Sequence, residues 1–186
     1  MMTSNESLLE AKSLFATGHP GESIELFTKA EEEGCNPVTV YQSRGAAYLT
    51  IGELDKSIDD FNRVLEIDAA NERAFYYRGI AHFRKGKFNE AIDDLTSSIT
   101  FNHDRGATFF ARGLAYAELD RTDESLRDLK TAIAFSNKEV ESFANLFGEN
   151  RTLYGKSMAL LEGERGPWSI VMNEDELRKL KKWMEK

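Results

Sequence analysis

Three arginines and three aspartates recur in this chain at one spacing, and their chemistry needs an account first. Arg44, Arg78 and Arg112 each precede a glycine, and Asp60, Asp94 and Asp128 follow them at a constant interval. A planar guanidinium can hold a carboxylate with two parallel hydrogen bonds. The pattern therefore predicts three internal ion pairs, Arg44–Asp60, Arg78–Asp94 and Arg112–Asp128. The rival chemistries are anion capture by the arginines and metal binding by the doublets Asp59-Asp60 and Asp93-Asp94. Neighbouring residues on a helix point about 100° apart, which suits a single metal ion poorly.

The other reactive side chains do not converge. His19, His82 and His103 share no metal-ligand spacing. Cys35 is the only cysteine, so it has no internal disulfide partner and forms no cysteine-based zinc site. The run "GERGPW" lacks the lysine of a phosphate-binding loop, and no strand precedes it. The sequence predicts no catalytic centre, no metal and no cofactor.

The elements that position these residues come from a repeat. Gly18, Gly52 and Gly86 are spaced by a constant 34 residues, with Asp120 in the fourth place. Counting each unit from residues 4, 38, 72 and 106, the eighth place holds Ala11, Gly45, Gly79 and Gly113. The twentieth holds Ser23, Ser57, Ala91 and Ser125. Bulk falls at the twenty-fourth, as Phe27, Phe61, Leu95 and Leu129. Each unit reads as two amphipathic helices around a central turn, with small residues where the helices must approach closely. The units span 4–37, 38–71, 72–105 and 106–139, and breakers such as Gly34 and Pro37 separate them.

This phase resembles the tetratricopeptide repeat (TPR) family over about three quarters of the chain. The resemblance implies an all-α solenoid, a right-handed superhelix of antiparallel helix pairs. First helices would then line a concave groove, and second helices would form its back. Residues 140–163 read as a degenerate fifth unit that caps the stack, with Phe143 and Phe147 on its first helix. Residues 164–186 read as a loop and a C-terminal amphipathic helix, with a stripe of Leu177, Leu180 and Met184 beside Trp183.

On the family's pattern, the groove-facing positions carry a second apolar face. Tyr76, Ile80, Phe83, Phe110 and Leu114 compose it, with Tyr77 alongside. Packing between adjacent first helices is the competing reading for this stripe. Lys12, Arg73 and Arg84 add positive charge, and Gln42 adds an amide. The positions that would form a carboxylate clamp for chaperone tails hold Leu8, Lys12, Ser43, Arg73 and Tyr77, and only Arg73 matches in charge. The expected ligand is instead a peptide mixing apolar and acidic residues, anchored by Tyr76, Tyr77 and Phe110.

Bulk properties bound the function. The chain has 186 residues, 41% hydrophobic and 30% charged, with a formal net charge of −8. That charge disfavours nucleic acid and anionic membrane surfaces as partners. The N-terminus lacks a basic region followed by an apolar one, so a cytoplasmic location is expected. The sequence thus predicts a non-catalytic adaptor that binds a partner's peptide in the groove. The alternative is a self-assembling scaffold using the C-terminal helix and the repeat edges. A third reading is an accessory domain that works on a catalytic partner.

Overall fold

In a computed structural model of the chain, residues 6–147 are described, those at 133 and 136–147 by their backbone alone. They form eight helices: α1 (Glu6–Ala16), α2 (Pro20–Glu32), α3 (Pro37–Ile51), α4 (Leu54–Ile67), α5 (Glu72–Arg84), α6 (Phe88–Phe101), α7 (Gly106–Glu118) and α8 (Thr122–Phe147). The first six belong to one compact unit that ends at His103, and α7 and α8 belong to a second that starts at Asp104. Each odd-numbered helix folds back on the even-numbered helix after it. This is an all-α TPR solenoid fold.

Local chemistry starts and stops the helices. Asn36 caps α3 by accepting a hydrogen bond from the Thr39 amide at 3.0 Å, and Pro37 opens the helix. Asn71 caps α5 in the same way through the Ala74 amide at 3.0 Å. The turn inside each pair uses a left-handed residue. Gly18, Gly52 and Gly86 have φ of 87°, 86° and 74°, and Asp120 takes the same conformation at 56°. Glycine enters that region freely, whereas a Cβ costs about 1 kcal/mol or more there, less for the short polar Asp.

Within a pair, the small residues decide how closely the helices pack. A Cβ on Gly45 would sit 3.1 Å from the Phe61 ring, one on Gly79 would sit 2.9 Å from Leu95 Cγ, and one on Gly113 3.2 Å from Leu129 Cγ. Ser57 is fully buried and donates to the Gly45 carbonyl at 2.9 Å, so its hydroxyl costs little in the core. In the first unit Phe27, Val40, Phe61, Val64 and Leu95 are all fully buried.

One boundary differs from the expected division at 139/140. The helix that starts at Thr122 runs without a turn to Phe147, placing Phe143 and Phe147 on the second helix of the last pair rather than on a new one. Residues 122–147 contain neither glycine nor proline, so no local signal breaks the helix there. The rest of the expected cap, the loop and the C-terminal helix lie outside the described residues.

The left-handed turns predict opposite responses to substitution. Asp120→Gly should raise the unfolding free energy by about 0.5 kcal/mol, and Gly52→Ala should lower it by about 1 kcal/mol or more. Urea denaturation of the two variants beside the parent checks both signs.

Candidate functional site

The repeated arginine of α3, α5 and α7 is held by several hydrogen bonds. Arg44 on α3 is 6% exposed, and its Nε and Nη2 donate to the two oxygens of Asp60 on α4 at 2.9 and 2.8 Å. Its Nη1 turns back to α2, donating to Thr28 Oγ1 at 3.1 Å and Glu31 Oε2 at 2.6 Å. Arg78 on α5 repeats the arrangement, with Asp94 on α6 at 2.9 and 2.6 Å and Asn62 Oδ1 on α4 at 2.6 Å. In the second unit Arg112 donates to both oxygens of Asp128 at 2.7 and 2.9 Å. The geometry brings all three sequence-paired arginines and aspartates together.

The side chains behind Arg44 and Arg78 went unread in the sequence. Thr28 and Asn62 precede their arginines by the interval that separates the arginines from their aspartates, so a polar residue at that repeat position was the available signal. Each arginine therefore joins two helices of one pair to the second helix of the pair before it.

Glu31 is a further node. Tyr41 Oη donates to it at 2.9 Å, and Arg63 approaches it at 3.5 Å while lying over the Tyr41 ring. Burial pushes the Glu31 carboxyl up. The hydrogen bonds from Tyr41 and Arg44, with the charges of Arg44 and Arg63, outweigh it and hold the group below its ordinary value.

The apolar stripe expected to line a groove is instead buried. In the first unit Tyr76 is 5%, Ile80 0% and Phe83 9% exposed. Tyr76 meets Tyr77 edge-on at 5.1 Å, and Phe83 meets Phe88 edge-on at 5.5 Å. In the second unit Phe110 and Leu114 are 6% and 8% exposed. Packing accounts for this face, and the reading of Tyr76 and Phe110 as open peptide anchors is corrected. Tyr77 remains half-buried, with one ring face stacked on Phe61 at 5.6 Å.

Two of the polar candidates also serve the stack. Gln42 donates from α3 to Asn71 Oδ1, the oxygen that caps α5. Arg84, the last residue of α5, donates to the Leu49 carbonyl near the end of α3. That carbonyl already accepts the Gly52 amide at 3.2 Å, and Arg84 adds a second donor at a helix C-terminus, where a cation is favoured. Together the two bonds tie α3 to both ends of α5. Lys12 is exposed on α1. Arg73 is exposed on α5, with its Nε 3.8 Å from Glu72 Oε1.

Charge is divided unequally between the helices of the first unit. The first helices α1, α3 and α5 carry five basic and three acidic residues. The second helices α2, α4 and α6 carry three basic and eleven acidic ones. Among the described residues, no three His, Cys, Asp or Glu side chains cluster to hold a metal ion. No described helix is long and apolar enough to cross a membrane.

Known proteins match this architecture. Residues 45–86 fit the model of the TPR repeat family. No curated protein matches the chain in sequence. Among solved structures, a crystal structure of MamA superposes with a TM-score of 0.68 at 22% identity, over 74% of this chain and 81% of that one. YrrB, described as a TPR protein with an unusual peptide-binding site, superposes with a TM-score of 0.65 at 16% identity, over 72% of this chain and 69% of that one. At these identities the likeness is one of fold.

The buried pairs predict strong coupling. Arg44→Ala and Asp60→Ala should each cost about 3–5 kcal/mol, because each strands a buried charge. The double variant should cost less than the two single losses together by at least about 1 kcal/mol. Denaturant melts of the four proteins give the cycle.

Proposed function

We propose that this chain, which carries the tetratricopeptide repeat and its solenoid fold, is a non-catalytic interaction module that captures an acidic segment of a partner protein on the first-helix face of residues 6–103. The observation that supports this most is the charge division between first and second helices. With Arg44 and Arg78 paired to Asp60 and Asp94, the first-helix face of these residues is close to neutral and stands against strongly acidic second helices. Exposed Lys12 and Arg73 are the groups that would meet a carboxylate, and the half-buried Tyr77 ring offers an apolar contact beside Arg73. Charges arranged this way steer an acidic ligand to one face and repel it from the other. YrrB, the fold neighbour described by its peptide-binding site, makes a peptide the natural form of ligand.

The scaffold alternative is less well supported on the α1 side. In α3 and α5 the third repeat position holds Val40 and Ala74 and the tenth holds Ala47 and Ala81, all fully buried. In α1 those positions hold Glu6 and Ser13, both exposed. A charged and polar helix face is a poor surface for edge-to-edge stacking.

A paired affinity capture from native extract tests the proposal. The baits are the parent and a Lys12→Glu, Arg73→Glu variant shown to be folded by circular dichroism. A prey rich in acidic segments should bind the parent and be lost from the variant. Equal recovery on both baits would remove the first-helix face as the site. A mass that grows with concentration in light scattering would favour the scaffold reading instead.

A further inference from the structure

His82 is the one histidine within the packed layers of the first unit, and its surroundings suit only the neutral ring. It occupies the repeat position that holds Leu14 in α1 and Tyr48 in α3, near the end of α5. Its side chain is 15% exposed. Nδ1 is buried and has no hydrogen-bond partner among the described residues. Nε2 lies 3.7 Å from Asp94 Oδ2, but that oxygen already accepts the Arg78 Nε hydrogen bond at 2.9 Å. The His82 carbonyl meanwhile accepts the Lys85 and Lys87 amides that close the turn into α6.

An imidazolium here would need acceptors for two N–H groups. One would face a buried site with no acceptor, and the other would compete with Arg78 for a carboxylate already held on both oxygens. Asp94 and Glu90 on α6 attract the cation, while Arg78 on α5 and Lys87 in the turn repel it. Burial is the largest influence and keeps the ring below its ordinary value of 6.5. The fully stable form is therefore the one above that value. Stability is lost as pH falls from 6.5 toward the lower folded value, and the loss levels off below it.

We propose that the α5–α6 pair is a pH-sensitive element, in which protonation of His82 loosens the Arg78–Asp94 bridge and opens this pair ahead of α1 to α4. The switch goes beyond partner binding and stands on this geometry alone. Its consequence for binding rests on the reading above, because α5 carries Arg73 and Tyr77. Mild acid would then weaken capture by displacing both.

Amide hydrogen exchange at pH 7.5 and 5.5, corrected for intrinsic rates, tests the switch in the full chain. Protection in α5 and α6 should fall severalfold more than in α1 to α4, and His82→Phe, which restores an aromatic ring, should abolish the difference. His19→Gln, at an exposed site, should leave it intact. Uniform loss across the helices, or a difference that survives His82→Phe, overturns the proposal. If that variant does not fold, an NMR titration of the parent decides: a His82 midpoint below 6.5 supports the switch, and one at or above 6.5 overturns it. Opening of α5–α6 with partner capture unchanged would leave the switch standing and remove the binding role of α5.

Discussion

The guanidinium buried between helices is the constraint on which the rest of the fold depends. From α3, Arg44 makes four hydrogen bonds to two other helices, α2 and α4, and each bond demands a particular approach of those helices. Burying such a charge is costly, and the attraction to Asp60 offsets the desolvation only when geometry is good and the remaining donors find partners. Thr28 and Glu31 supply them. The net gain in stability from such a pair is small, because apolar residues of similar size often do as well. Its effect is on register: a helix that slid or rotated would strand a charge. Glycine belongs to the same device. The Asp60 Cβ would lie 3.3 Å from a Cβ on Gly45, so the helices come this close only where that atom is missing.

The same network explains why the sequence exposed some of the structure and hid the rest. Arginine and aspartate are present together in three units and absent together from the first, so their pairing was legible from one chain. The left-handed turns were legible by spacing, even where Asp120 replaced glycine. The partners Thr28 and Asn62 were not, because small polar residues on a helix ordinarily face water and carry no mark of a buried contact. The stripe Tyr76, Ile80 and Phe83 misled for a related reason. Helical spacing shows that a face is apolar but not how many neighbours that face meets. A first helix in a stack packs against its own second helix, the second helix before it and the first helices beside it, and these neighbours use up a second apolar face.

Polar residues on the groove side posed the reverse problem. Gln42 and Arg84 read as ligand contacts because a solvated helix face and a helix-end staple look alike in sequence. Only the partner's position separates them, and both partners, Asn71 and the Leu49 carbonyl, lie at helix ends. Helix ends carry unsatisfied backbone groups, which makes them sinks for nearby polar side chains. Such assignments need the neighbouring repeat in view, and a position read within its own unit does not supply it.

The field available to a partner is what these internal demands leave over. Arg44 and Arg78 are basic residues of the first-helix layer, yet their charge is neutralised inside the stack by Asp60 and Asp94 on second helices. Removing those pairs from consideration leaves Lys12, Arg73 and Arg84 against Glu6, Glu10 and Glu72 on the first helices, and Arg84 has already donated to the Leu49 carbonyl. The first-helix face is therefore close to neutral, and its ability to select an acidic segment comes from contrast with the strongly acidic second helices. Selection by contrast acts mainly on approach and on rejecting wrong orientations, and salt screens it over about 8 Å at physiological ionic strength. Tight retention would then have to come from short-range contacts at Arg73 and Tyr77, which places the weight of affinity on α5, the helix whose hold on α6 includes the partly buried pair of Arg78 and Asp94 beside His82.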